Sequence, residues 1–466
     1  VDGNHLTSSL RIVQRNPRLI PQLTISVFGL GCLGAVSMAC LVALGHKVIG
    51  VDIDRRRVQD LLYGYTGFCQ PGLNEALSEG VRTNQISTGD HPESAVLNSD
   101  ISMITVGTPA KDDGGCDLTA VLSVAKSIGA ALRKKNSYHL VILRSTVPPG
   151  TTLGIVAAEI EKASGKISGK DFSVAFNPAL LHEGTAPNDL SRPSKTVLGA
   201  NDPCAHQMLA DVYGGLAIAP IYTGISTAEM IKCADTVWHA SRIVFANEIG
   251  RLCKPLDIDG HAAMDIFINQ IDKTGSAADF TPTMAYGSTR IQGAIPRPRG
   301  PVDAPKVSVP LLKSLKHSNT EQLISALRLI EQTGYKDIGF LGLTLAANVG
   351  DIRESPFLML LLLLDEAGFS VSFHDKAFPS GPRLADQLHR IKSSEPRFAK
   401  AINQLENKRY KCLCSLTSTS KILVLAHRTE QYLTYTQACH KKTVIIDLSG
   451  SALTEDKQQN YEGLAW

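Results

Sequence analysis

The sequence predicts an α/β protein in which two doubly wound Rossmann-like domains are joined by a long central helix. Three observations carry this expectation. A glycine cluster, Gly29-Leu30-Gly31-Cys32-Leu33-Gly34, lies between an apolar β-rich run and a helix-length stretch. Strand-like and helix-like segments then alternate to about residue 200, the pattern of a parallel sheet built from helical crossovers. A periodic stretch from Ser226 to Leu252 follows, and after Asn319 the alternation of strand and helix returns.

Taken in order, residues 1–23 carry Arg11, Arg15 and Arg18 but no sustained apolar segment, so they read as an N-terminal arm rather than a secretory signal. The first domain spans 24–222. Leu23 to Phe28 reads as a strand, a helix runs from the glycines to Gly45, and Lys47 to Val51 resumes a strand, which makes a βαβ unit. Ile101 to Val106, Leu140 to Leu143 and Val174 to Phe176 are the next strand candidates. A central helical region spans 223–318. Its long helix is capped at Ser226, carries Ile231, Ala234, Trp238, Phe245 and Ile249, and stops before Lys254-Pro255, a length of about seven turns. Residues 282–310 are rich in Pro, Gly and Arg and oppose regular structure. The C-terminal domain spans 319–466, with strands at Ile338 to Leu341, Ser370 to Phe373, Ile422 to Leu425 and Thr443 to Ile446. Ile338-Gly339-Phe340-Leu341-Gly342-Leu343 echoes Ile25-Ser26-Val27-Phe28-Gly29-Leu30 without the second and third glycines, so only the first domain is expected to hold a dinucleotide.

Composition narrows the function classes. With 466 residues, 43% of them apolar, and a net charge of +3, the chain is ordinary for a soluble globular protein and has no basic stripe for nucleic acid or a membrane surface. Its longest apolar run, Phe357 to Leu364, is far short of the ~20 residues that span a bilayer and reads as a buried helix. Ten cysteines occur without paired metal spacings, and Cys412-Leu413-Cys414 is too tight for a zinc knuckle, so reduced thiols in a cytoplasmic protein and no metal are expected.

The glycines permit a tight turn, close approach of a pyrophosphate and tight packing of the following helix. Asp52 ends the second strand 23 residues after Gly29, placed to accept from a ribose 2′-OH, which favours NAD over NADP. Arg55, Arg56 and Arg57 argue the other way, and read as a solvated basic face. Val106-Gly107-Thr108-Pro109 and Arg144-Ser145-Thr146-Val147 follow predicted strands and so lie at the carboxyl edge, where such sheets hold ligands.

With Ala228-Glu229-Met230-Ile231-Lys232, Phe245-Ala246-Asn247-Glu248 and Arg353-Glu354-Ser355-Pro356, these segments in their order and spacing resemble the nucleotide-sugar 6-dehydrogenase family, the UDP-glucose/GDP-mannose dehydrogenases, and within it the GDP-mannose branch. The resemblance covers roughly residues 24 to 466. It implies NAD bound through Gly29, Gly31, Cys32, Leu33, Gly34, Asp52, Gly107, Thr108, Thr146 and Arg353, a nucleotide-sugar ligand near Lys232, Tyr286 and Arg290, and a homodimer built on the long helix. It also implies catalytic parts for Thr146, bonding water or a sugar hydroxyl, and for Lys232, stabilising negative charge on oxygen.

The same resemblance exposes what is missing. The family oxidises an alcohol twice, through a cysteine thiohemiacetal and thioester, and that cysteine falls on Arg290, inside a gap without cysteine from Cys253 to Cys412. A guanidinium is a permanent cation, never a nucleophile. The family's following lysine and aspartate fall on Gly293 and Ala294, its Asn-Pro-Glu glutamate on Ala179, the asparagine beyond the active-site lysine on Thr236, the glutamate before Pro71 on Gln70, and the lysine of the second-domain Gly-Leu-Ser-Phe-Lys motif on Ala346. Cys69 and Cys233 are not expected to take over. The expectation is a catalytically degenerate relative that keeps dinucleotide binding, with Arg290, Arg297 and Arg299 forming either a phosphate clamp or a solvated loop. The alternative is an enzyme limited to a single hydride transfer on a nucleotide sugar.

Overall fold

The computed structural model describes residues 21–66, 72–89, 91–109, 111, 115–180, 196–216, 218–271, 281–287, 310–347, 350–438, 443–449 and 460–465. These residues fall into two compact units, one running through Thr236 and the other taking up from Val237.

The first unit is organised by one sheet. Its strands in chain order are β1 (Thr24–Phe28), β2 (Lys47–Val51), β3 (Ile86–Thr88), β4 (Ile101–Ile104), β5 (Leu140–Leu143), β6 (Ser173–Phe176), β7 (Val197–Gly199) and β8 (Ile221–Thr223). They lie in the order β3-β2-β1-β4-β5-β6-β7-β8. The chain therefore reverses direction across the sheet between β1 and β4, and the crevice at their carboxyl ends is where a doubly wound sheet takes its ligand. Val27 pairs with Gly50 on one side and Met103 on the other, in parallel register. Strands this apolar are stable only when covered on both faces. Ile25, Val27, Ile101 and Met103 pack with Met38 and Leu41 of helix α1 (Cys32–Ala43), while Phe28, Ile104, Leu143 and Phe176 join a second cluster with Val121, Ala125 and Ile128. The expected all-parallel sheet holds up to β6. There β7 pairs antiparallel through Phe176 and Gly199, an edge extension of the kind mixed sheets carry.

The helix expected from Ser226 runs from Ile225 to Cys253, 29 residues or about 44 Å, and a short 3-10 turn at Lys254–Leu256 ends it where Pro255 withholds a donor. It passes through the boundary between the units at Thr236 and Val237.

The second unit holds a five-stranded sheet in the order β10-β9-β11-β12-β13, every neighbouring pair parallel. These strands are β9 (Asp337–Leu341), β10 (Ser370–His374), β11 (Ile422–Leu425), β12 (Val444–Asp447) and β13 (Tyr461–Gly463). The apolar run predicted to be a buried helix is one, Pro356–Glu366, its first turn capped by the Ser355 hydroxyl and its Leu358, Leu360, Leu361 and Leu364 packed against Phe340 and Phe373. Among the described residues no helix is long and apolar enough to cross a membrane, and no group of three His, Cys, Asp or Glu side chains could hold a metal ion.

Candidate dinucleotide and substrate site

The glycine cluster forms the turn between β1 and α1. Gly29 has φ +102°, and a Cβ there would meet the Val106 backbone nitrogen at 2.9 Å. At Gly34 a Cβ would stand 1.8 Å from the Gly29 carbonyl oxygen, so helix and strand approach more closely than any side chain allows. Gly31 is different: nothing lies within 4 Å of its would-be Cβ, leaving open space over the turn. Helix α1 starts after Gly31 with no capping side chain and no acid in its first turn, so the positive end of its dipole faces that space. These features fit a pyrophosphate.

Asp52 is fixed rather than merely near. Its Oδ2 accepts the Leu30 amide at 2.7 Å and its Oδ1 accepts the Asp54 amide at 2.8 Å. Arg57 leans back onto these acids, with Nη1 3.5 Å from Asp52 and Nε 3.7 Å from Asp54, while Arg55 and Arg56 are exposed. A guanidinium committed to two carboxylates is a poor receptor for a 2′-phosphate, and the carboxylate itself repels one. The site matches NAD.

At the carboxyl ends of β4 and β5 the two predicted segments are stitched together. Thr108 donates its hydroxyl to the Thr146 carbonyl at 2.6 Å, and the Ser145 hydroxyl donates to the Val106 carbonyl at 2.6 Å. Gly107 faces open space. Cys116 places its thiol 3.8 Å from the Thr146 carbonyl, and burial raises its pKa. The Thr146 hydroxyl makes no hydrogen bond among the described residues and is half-buried.

Lys232 lies on the long helix, its Nζ 3.6 Å from Asp235, and the Thr236 hydroxyl donates back to the Lys232 carbonyl at 3.0 Å. Thr236 is thus spent on its own helix. Cys233 is buried and its thiol is pushed up to about 11 by desolvation, so it holds no thiolate near neutral pH. Ala179 is nearly buried. In the same segment Asn177 donates to the Val197 carbonyl at 2.8 Å and accepts the Tyr213 hydroxyl at 2.7 Å, which fixes the backbone there.

Sequence reasoning missed Glu229. It is 0% exposed, and its carboxylate accepts the Gly150 amide at 2.6 Å, the Thr152 amide at 2.8 Å and the Thr152 hydroxyl at 2.6 Å. Its only sequence signal was its place inside the segment that ends on Lys232.

In the second unit the chain from Thr281 to Gly287 has neither helix nor strand, as its prolines and glycines predict, yet it is held firmly. Asn247 accepts the Thr283 amide at 2.7 Å, Gln322 donates to the Thr283 carbonyl at 2.6 Å, and Asn319 bonds both the amide and the carbonyl of Tyr286 at 2.9 Å. Gly287 presses on Glu354, whose carbonyl oxygen would lie 2.7 Å from a Cβ there, and Glu354 itself adopts φ +63°. Tyr286 is half-buried, its phenol pushed up to about 12 by desolvation. Arg353 makes a two-pronged ion pair with Asp351, Nη2 to Oδ2 at 2.5 Å and Nε to Oδ1 at 3.0 Å. Arg290, Arg297, Arg299, Gly293, Ala294, Cys69 and Gln70 lie outside the described residues.

The second glycine turn is closed. Gly342 has φ +102°, as Gly29 does, and the Leu343 amide donates to Asp375 at 2.8 Å just as Leu30 donates to Asp52. Here, however, the Thr344 amide and hydroxyl also bond Asp375, both at 2.9 Å. The His427 ring lies 2.5 Å from a would-be Gly342 Cβ, with its Nε2 2.9 Å from the Thr344 carbonyl. Side chains occupy the donors and the space a phosphate would need.

Comparison with known proteins agrees with this geometry. Residues 23–217 match the UDP-glucose/GDP-mannose dehydrogenase family, NAD binding domain, and residues 226–321 match the central domain of the same family. The chain is 35% identical over 451 residues to the GDP-mannose 6-dehydrogenase of Pseudomonas syringae pv. tomato, covering 95% of this chain and 100% of that one. Among solved structures it resembles a UDP-glucose dehydrogenase from Pyrobaculum islandicum, with a TM-score of 0.83, 29% identity and coverage of 97% and 100% of the two chains. It also resembles a ternary complex of GDP-mannose dehydrogenase from Pseudomonas aeruginosa, with a TM-score of 0.53, 33% identity and coverage of 95% and 100%.

Proposed function

Because this chain belongs to the UDP-glucose/GDP-mannose dehydrogenase family, we propose that it is a cytoplasmic, NAD-binding relative that recognises a nucleotide sugar of the GDP-mannose type but does not carry its oxidation through to the sugar acid. NAD, held at the start of α1 and at Asp52, supplies a hydride acceptor. The observation that carries the proposal is the absence of cysteine between Cys253 and Cys412. The second oxidation of an aldehyde needs a thiolate to form the thiohemiacetal, and Arg290, at the family's cysteine position, has no lone pair to offer. Ala179 supplies no carboxylate for proton transfer.

A single reversible hydride transfer is the second reading. It is favoured by Thr108 and Thr146 at the sheet edge and by Lys232 on the long helix, since alcohol oxidation to an aldehyde needs no thiol. Both readings include a homodimer. Trp238, Phe245 and Leu252 recur every seven residues on the long helix and are 61%, 42% and 64% exposed, a stripe that a second copy would cover.

The test incubates the full chain with NAD and GDP-mannose or UDP-glucose, follows NADH by absorbance, and examines the sugar by mass spectrometry. The expected result is binding of NAD, seen as a thermal shift, and no nucleotide-linked uronic acid. Detecting that acid would overturn the proposal. NADH formed in step with a nucleotide-linked aldehyde selects the single-transfer reading. Restoring the thiol alone, as Arg290→Cys, is expected to leave acid formation at zero, because groups that act as a unit fail together.

A further inference from the structure

We infer that Glu229 is a positioning residue, which sets the nicotinamide end of bound NAD by gripping the chain that carries Thr146. The inference rests on the dinucleotide site described above. With Asp52 at the end of β2 receiving the adenosine ribose and the pyrophosphate at the start of α1 after β1, the remaining half of the cofactor falls across the ends of β4 and β5. Gly107, Thr108 and Thr146 lie just beyond those ends. The Thr146 chain then runs through Pro148, Pro149 and Gly150 into a helix.

That helix is capped from a distance although a local cap was at hand. Thr151 stands at its N-terminus, but its hydroxyl turns back to the Pro148 carbonyl at 2.6 Å and makes no cap bond to the helix. The amide of Thr152 is satisfied instead by Glu229, 77 residues away in sequence. Burying a carboxylate is costly, and here three donors, the Gly150 amide and the Thr152 amide and hydroxyl, offset that cost. Glu229 fixes two places at once, Gly150 at φ +90° and Thr152, on either side of the bend. One turn further along the same helix face is Lys232. The gripped helix also opens as a π-type turn over Thr152–Ala157, a geometry frequent at functional sites. One carboxylate therefore ties the Thr146 strand end to the turn of helix that presents Lys232.

The experiment compares NADH with ADP-ribose, which shares every part of the cofactor except nicotinamide, on the full chain and its Glu229→Gln variant. In Glu229→Gln, ADP-ribose should bind within about twofold of the unchanged chain. NADH should bind about tenfold more weakly, and its fluorescence lifetime should move toward that of the free coenzyme. Thr152→Val removes only the hydroxyl donor and keeps the shape, so it should move NADH in the same direction by about twofold even if Glu229→Gln fails to fold. Unchanged NADH affinity and lifetime in both variants overturns the inference. So does equal weakening of both ligands, which makes Glu229 a support of the whole domain. If the unchanged chain binds neither ligand, the cofactor reading itself falls, and this inference with it.

Discussion

At the scale of single residues, the two glycines that look alike in the sequence have different duties. Gly31 faces open space, whereas Gly34 is the point where α1 touches the end of β1, with 1.8 Å between its would-be Cβ and the Gly29 carbonyl oxygen. Gly34→Ala is therefore expected to destabilise the chain by about 3 kcal/mol in urea titration and to abolish the thermal shift with NAD, because the helix must back away from the pyrophosphate turn. A Gly34→Ala protein with unchanged stability and an unchanged shift would show that the turn tolerates the displacement. Asp52 was legible because a strand-ending acid at this distance from the glycines has a defined geometric task. Glu229 was not, since nothing in a sequence tells a buried acid that caps a distant helix from a solvated helix acid. The same limit applies to Thr236, whose hydroxyl bond to the Lys232 carbonyl is a local choice that only coordinates reveal.

At the scale of elements, the long apolar strands and the 29-residue helix were readable from periodicity, and their observed ends differ from expectation by a residue or two. The strands that escaped are β3, β7, β8 and β13, each three residues long. Three residues hold barely one alternation, and these strands are defined by the neighbours they pair with rather than by their own pattern. The segment 281–287 shows the opposite case, where composition correctly denied regular structure but could not show that side chains from elsewhere replace a ladder. Asn319 alone satisfies both backbone groups of Tyr286. Asn319→Ala is expected to cost about 1 to 3 kcal/mol, since a half-buried amide and carbonyl lose their partner together. Hydrogen exchange at Tyr286 should accelerate more than exchange in β9. Unaltered exchange at Tyr286 would mean that Asn247 and Gln322 suffice to hold the segment.

At the scale of the whole molecule, buried imidazoles are expected to set the acid limit of stability. Desolvation by burial is the first cause lowering His46, His139, His261, His374 and His427 below the usual 6.5. His139 is the clearest case: Lys135 lies 3.1 Å from its Nδ1, adding a like charge to the burial. A base whose folded pKa is depressed stays neutral in the native state while the unfolded chain takes up the proton. Its contribution is complete above about pH 6.5 and is lost as pH falls below that value. Melting temperature should thus drop steeply between pH 6.5 and 5, and His139→Gln should flatten that slope even if it lowers stability at pH 7.5. An identical slope in the variant would assign the acid sensitivity to other groups. The closed turn at Gly342 bears on descent rather than on stability. A chain that carries the same glycine-leucine turn and strand-ending acid twice has the outline of a duplicated half, but in the second copy Asp375 and His427 have become part of the core. Any route to a second cofactor must free Asp375 from Thr344 and displace His427, and each single step along it exposes an unpaired buried group before it gains a ligand. The two halves are therefore locked into different fates, and titration with NAD should saturate at about one equivalent per chain.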